Sequence, residues 1–399
     1  MTTNRPPRRW ILTLAICVGL VVLMGGPALA ATARVRIIDL GTLGGTFSDA
    51  IAVNDRGQIA GNSTTASGQV RSFIWQRGKL TDLGTLAGGN MRATAINSRG
   101  EVVGSETELT DGVITHAFLW RGGVLRDLGT LGGDSASAWY INDRGQVVGD
   151  SVTTDGSTHA FLWDKGVMTD LGTLGGRFSS ASVVNDRGQV IGSSTTADGF
   201  GIGFLWDRGR LTEFGPPNSA SAAVVPLAIN RRGQVVAFHD PDFQGARGWT
   251  GFWDGRTLID IGDLDFGFSA PSFLPNQALN DRGQVVGTSS VASYFEDGAT
   301  HAYLWQRGAM QDLGTLGGLR SSATAINNSG MVTGTSQTTE EFVSHPFLWR
   351  RGVMTDIGTL GRSADPVDLN ERGDIVGSAL TVDGQQHAVL WTSSRHITG

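Results

Sequence analysis

The chain has 399 residues, of which 58 are glycine and only 17% are charged, against about 25% in an average soluble domain. Eleven prolines with no Gly-X-Y period exclude collagen, and 40% hydrophobic residues, eleven tryptophans and a net charge of -6 exclude charge-driven disorder. A folded, glycine-rich, weakly charged protein remains, and its length alone gives a prior of two or three domains at about 150 residues each.

Arg5, Arg8 and Arg9 precede an uncharged apolar run from Trp10 to Met24, and the small-residue stretch Ala28-Leu29-Ala30 follows. This is the pattern of a secretory signal peptide, expected to span residues 1–30 with cleavage after Ala30. The run is short for the ~20 residues of a spanning helix, so no membrane span is expected after cleavage. Arg8-Arg9 also resembles a twin-arginine export signal, which gives a second export route. Cys17, the only cysteine, lies inside the apolar run, so residues 31–399 have no disulfide, thiolate or cysteine-ligated metal. Those residues carry 28 basic against 37 acidic side chains. That balance opposes binding to phosphate backbones and argues against a nucleic-acid partner.

From Asp39 onward a unit of about 44 residues recurs. Asp-Leu-Gly-Thr-Leu-Gly-Gly starts at Asp39, Asp127, Asp170 and Asp312, with near copies at Asp82, Glu213, Asp260 and Asp356. Each copy leads to an Asn-Asp-Arg-Gly-Gln-like segment, at Asn54, Asn97, Asn142, Asn185, Asn230, Asn280, Asn327 and Asn370. Each then reaches a His-Ala-Phe-Leu-Trp-like segment ending at a tryptophan, from Trp75 to Trp391. Period-two alternation between turn signals divides the unit into four strands, A to D. In unit 3, strand A precedes Asn142, B is Gln146 to Gly149, C is His159 to Trp163 and D is Val167 to Leu171. Asn142-Asp143-Arg144-Gly145 suits a type I turn with a left-handed glycine, and Asp164-Lys165-Gly166 is expected to close C on D in the same way.

Four antiparallel strands in 40 to 45 residues form a β-propeller blade. The expectation is an all-β propeller of eight blades, or seven if the seam shifts or the fifth blade fails. Residues 31–399 then form one domain, which replaces the length prior. Strand A is built from Ala and Ser, which fit a crowded axis, and strand C from Phe, Leu and Trp, which fill the wedge between blades. Arg34 to Asp39 has the character of a D strand with no A, B or C before it, and the last unit ends after its C strand. The first strand is expected to pair with the last blade and leave no free edge.

The three segments together resemble the HAF family of bacterial extracellular repeat proteins, over Asp39 to Trp391. The resemblance implies a secreted bacterial repeat protein and supplies no activity and no functional residues. Units 5 and 6 depart from it by lacking the Gly-Thr-Leu-Gly-Gly run.

The acid-to-Asn spacing is 15 residues in most units, but 17 from Glu213 and 20 from Asp260. The expectation places these insertions in the B–C and D–A loops of one face, where variable loops on a rigid scaffold commonly bind ligands. The candidate ligand face comprises His239, Asp240, Asp242 and Phe243, then Asp263, Asp265 and Phe266, then Tyr294, Glu296 and Asp297. Acids beside aromatics suit a sugar or a hard cation such as calcium, although no cofactor is required. His116, His159, His301, His345 and His387 open strand C too far apart for a shared metal and read as hydrogen-bonded structural residues. No nucleophile or phosphate-loop motif is present. The leading expectation is a secreted, monomeric, non-catalytic propeller that binds an extracellular protein or glycan. The alternatives are an extracellular polysaccharide hydrolase or lyase using Asp240, Asp242, Asp263 or Asp265, and a structural spacer with no ligand.

Overall fold

The computed structural model describes residues 35–108, 113–214, 223–240, 248–265, 267–291, 298–340 and 343–393. The expected signal segment lies outside them. The described residues hold thirty-two strands and no helix, so none is long and apolar enough to cross a membrane. Val35–Gly399 is one compact unit.

Each repeat folds as an antiparallel meander. In unit 3, Gly132–Ile141, Val147–Thr153, Thr158–Asp164 and Val167–Asp170 pair in sequence order. The Asn-initiated turn closes A on B. The N–H of Gly145 donates to the Asn142 carbonyl at 3.0 Å, while Asn142 Oδ1 accepts the N–H groups of Arg144 and Gln146. Gly145 has φ +81°, which a side chain would strain. The C–D turn differs from expectation: Lys165 (φ 51°) and Gly166 (φ 99°) are both left-handed, the type I′ geometry whose twist matches a tight hairpin.

Strand pairing explains the motif spacing. Gly149 on strand B faces Phe161 on strand C, and a Cβ on Gly149 would lie 1.9 Å from the Ser137 carbonyl and 2.9 Å from the Phe161 ring. The missing side chain lets Phe161 be fully buried, worth about 1.5–3 kcal/mol. Unit 5 exchanges the pair, with Ala237 facing Gly251. One methyl group then fits where the ring is absent.

Val35–Asp39 pairs antiparallel with Gln386–Ser393, completing the last meander with the first strand of the chain. The meanders are not eight separate sheets. Single parallel pairs, Phe47 with Gln386, Thr158 with Phe178 and Thr300 with Arg320, join neighbours into three eight-stranded sheets beside two four-stranded ones. The fold is all-β and propeller-like.

The turn asparagines link the repeats. Asn54 Nδ2 donates to the carbonyl of Asn97, and the same bond runs through Asn142, Asn185, Asn230, Asn280, Asn327 and Asn370. Asn370 Nδ2 then donates to the Asn54 carbonyl at 3.1 Å.

Candidate active site

The site grows out of strand A. In units 1 to 5, 7 and 8, strand A carries a one-residue bulge three positions before the asparagine, at Ile51, Thr94, Trp139, Ser182, Leu227, Thr324 and Val367. Unit 6 expands that bulge. Pro271 pairs with Gly287, and the N–H of Val286 donates to Ala278, so residues 272–277 stand where other units have one residue. The longer Asp260-to-Asn280 spacing is therefore an excursion within strand A, not a longer D–A loop. Leu264 N–H donates to Ser289 Oγ as Leu43 N–H does to Ser63 Oγ, which fixes the equivalence of the two D–A connections.

The excursion reaches four other repeats. Asn276 N–H donates to the Leu227 carbonyl, Asn276 Oδ1 accepts the Ile229 N–H, and Nδ2 donates to the Tyr140 hydroxyl at 2.8 Å. The carbonyl of Gln277 accepts Ile326 N–H, and its side chain bonds to Asp368. These contacts hold Asn276 at φ +59°, a left-handed conformation that asparagine tolerates better than most residues.

Tyr140 and Asn276 line two cavities. The first, about 340 Å³, is walled by the linked asparagines and by Asp55, Asp143, Asp186, Asp281 and Glu371. Arg231 bridges Asp143 and Asp186 there at 3.1 and 3.0 Å, an internal counter-ion that occupies the acidic wall.

The second cavity, about 500 Å³, contains Asp49, Thr94, Tyr140, Gln277 and Asp368. Asp368 is buried, and burial pushes its carboxyl up to about 6, although Oδ2 accepts Val53 N–H at 2.8 Å and Oδ1 accepts Leu369 N–H at 2.7 Å. Asp49, half-buried on the adjoining repeat, is also raised by burial, opposed by its bonds to Asn62 and by the charge of Arg92. Tyr140 is pushed up to about 12 by burial and keeps its proton. Two carboxyl groups of shifted affinity and one phenol thus share a chamber, a constellation suited to acid–base chemistry.

Sequence reading overlooked Asp368 and Tyr140. Both stand two positions before the asparagine, where other repeats have Ala52, Ala95, Val183, Ala228, Ala278 and Ala325. That departure from small residues was the available signal.

Of the anticipated ligand face, His239, Asp240, Asp263 and Asp265 fall among the described residues. His239 is buried and stacks on Trp249, with ring centroids 4.7 Å apart. Asp240 ends the strand Val235–Asp240, and Asp263 and Asp265 are exposed on the D–A connection. His239, Asp263 and Asp265 line neither cavity. Asp242, Phe243, Phe266, Tyr294, Glu296 and Asp297 lie outside the described residues. Among the described residues no three His, Cys, Asp or Glu side chains group as a metal site. The strand-C histidines are hydrogen-bonded: His159 Nδ1 meets Asp170 at 2.8 Å, and His387 Nδ1 meets Asp39 at the same distance.

No family model and no curated protein matches the chain. Among solved structures, dipeptidyl peptidase 4 of Porphyromonas gingivalis superposes with a TM-score of 0.58 at 10% identity, over 91% of this chain and 59% of that one. The chain thus spans about 59% of that enzyme's length. A puromycin-hydrolyzing peptidase of Mycobacterium tuberculosis gives 0.49 at 11% identity, over 87% of this chain and 57% of that one. The β-propeller domain of the trilobed protease from Pyrococcus furiosus gives 0.49 at 13% identity, over 82% and 98%. At such identity the likeness carries the fold alone.

It corrects one expectation nonetheless. The non-catalytic reading rested on the insertion-bearing face and found no catalytic motif, yet a peptidase, dipeptidyl peptidase 4, superposes on 91% of this chain. The carboxylate chamber, formed by residues 315 positions apart in the Asp368–Val53 contact, has no local motif to find. The non-catalytic reading is withdrawn.

Proposed function

We propose that the chain is an exported hydrolase of eight propeller blades that cleaves glycosidic bonds in the Asp49–Asp368 chamber. The blade count is supported by the eight linked turn asparagines and by the pairing of Val35–Asp39 with Gln386–Ser393. Export rests on the apolar segment after Arg9, in keeping with the resemblance to extracellular HAF repeat proteins.

One observation carries the catalytic reading: two carboxyl groups, both held above their ordinary proton affinity by burial, line one cavity. Glycoside cleavage needs such a pair. Asp368, protonated up to about pH 6, gives its proton to the bridging oxygen as the bond to the anomeric carbon breaks. Water adds to that carbon and its proton passes to Asp49. One water is consumed, and the products are a new reducing end and a new hydroxyl. Tyr140 accepts the Asn276 bond and keeps its own O–H to donate to a sugar hydroxyl.

The test is incubation of the exported chain with a panel of plant, fungal and bacterial polysaccharides, counting reducing ends. Release from at least one polymer, lost in D49N and D368N variants that remain folded, is expected. No release from any polymer, or unchanged release by both variants, rejects the reading.

A further inference from the structure

We infer that Trp139 is the stacking platform of a saccharide subsite at the edge of the carboxylate chamber. This assignment rests on the glycoside reading for its substrate class. The position follows from the repeat. Trp139 does not itself line the chamber, but it is the strand-A bulge residue of unit 3, and the bulge residues Ile51, Thr94 and Val367 of other units do line it. Thr94 Oγ1 donates to the Ala138 carbonyl at 3.0 Å, which fixes the residue before Trp139 against the chamber wall. Tyr140, the residue after it, lies within the chamber.

Chemistry separates this tryptophan from the others. On strand C, Trp163, Trp305, Trp349 and Trp391 are at most 7% exposed, and Trp75, Trp120, Trp206 and Trp253 are half-buried against the core, whereas Trp139 is 43% exposed. The other repeats place Ile, Thr, Ser, Leu or Val at the bulge, so packing does not require an indole there. The ring is nevertheless held in place: Nε1–H donates to Asp150 Oδ2 at 2.5 Å, and that oxygen also accepts the Ser180 hydroxyl at 2.8 Å. A rigid, half-exposed aromatic plane presents a large contact surface with little ordering cost on binding. Its complement is a pyranose ring, whose C–H face is apolar while its hydroxyls reach polar neighbours. The C–H face would lie on the indole while the adjoining glycosidic bond enters between Asp49 and Asp368.

The experiment uses the D368N variant, so that ligands are bound without turnover. Gluco-, xylo-, chito- and galacturono-hexaoses are titrated by calorimetry against D368N, D368N/W139F and D368N/W139A, with circular dichroism to verify folding. The expected result is binding of at least one hexaose, weakened about tenfold or more by W139A, equivalent to about 1.4 kcal/mol, and less by W139F. Equal affinity in all three variants overturns the platform while leaving the hydrolase reading intact. Trp139-dependent binding by a wild-type chain that cleaves no polysaccharide keeps the platform and overturns the hydrolase. Failure to bind any hexaose, or cleavage confined to peptides, overturns the subsite.

Discussion

Asp368 Oδ2 accepts the backbone N–H of Val53 at 2.8 Å, joining the last repeat to the first across 315 residues. The same carboxyl accepts Leu369 N–H, so its removal orphans two backbone donors in a buried setting. D368A is expected to lose stability by about 1–3 kcal/mol for each donor left without a partner. D368N keeps an acceptor oxygen and is expected to lose less. Urea denaturation of the two variants measures the difference; equal midpoints for D368A and wild type would show that the contact contributes nothing.

The proton affinity of Asp368 makes stability depend on pH in an unusual direction. Its folded value of about 6 exceeds its ordinary 3.8, so between these limits the folded chain binds more protons than the unfolded one. Stability from this group is therefore greatest below about pH 4 and declines as pH rises to about 6, by about 3 kcal/mol in all. D368N removes the slope. Denaturation midpoints of wild type and D368N across pH 4 to 7 compare the two directly, and parallel profiles would contradict the burial argument.

The repeat made strand order, the A–B turn and the strand-C core legible from one chain, because each constraint is local. Gly145 must adopt positive φ, Gly149 must vacate space for Phe161, and the pattern recurs with the same spacing. The chamber was not legible. Asp368 meets Gln277 and lines one cavity with Asp49 only after distant repeats converge, so no local spacing signals the site. The extra residues after Asp260 illustrate the same limit. Counting finds them, but only the pairings of Pro271 and Val286 reveal that they enter strand A instead of lengthening a surface loop.

Asn276 tests the excursion itself. Its backbone N–H, Oδ1 and Nδ2 all make hydrogen bonds, and its φ is left-handed. N276A loses both side-chain bonds and keeps a Cβ in a strained conformation, so it is expected to be less stable than N276G by about 1 kcal/mol. Y140F leaves Asn276 Nδ2 without its acceptor and is expected to cost about 1–3 kcal/mol. Thermal denaturation orders the three variants; an N276A chain more stable than N276G would refute the backbone argument.

The linked asparagines give a test of the contact between the ends of the chain. Asn370 bonds to Asn54 as Asn185 bonds to Asn230. If the last contact is as firmly made as an internal one, N370A and N185A should cost the same, each about 1–3 kcal/mol. An N370A variant indistinguishable from wild type beside a destabilised N185A would mean that the link between last and first repeats is open.

The most direct test of the carboxylate chamber is the rate of reducing-end release from a cleaved polysaccharide by wild type and D368N, measured from pH 4 to 8. Wild-type kcat/KM should fall as pH rises through about 6, as Asp368 loses its proton. D368N, verified as folded, should lose about 10²- to 10⁴-fold, the usual contribution of a positioned general acid. A folded D368N chain with the wild-type rate and the wild-type pH profile would contradict the account.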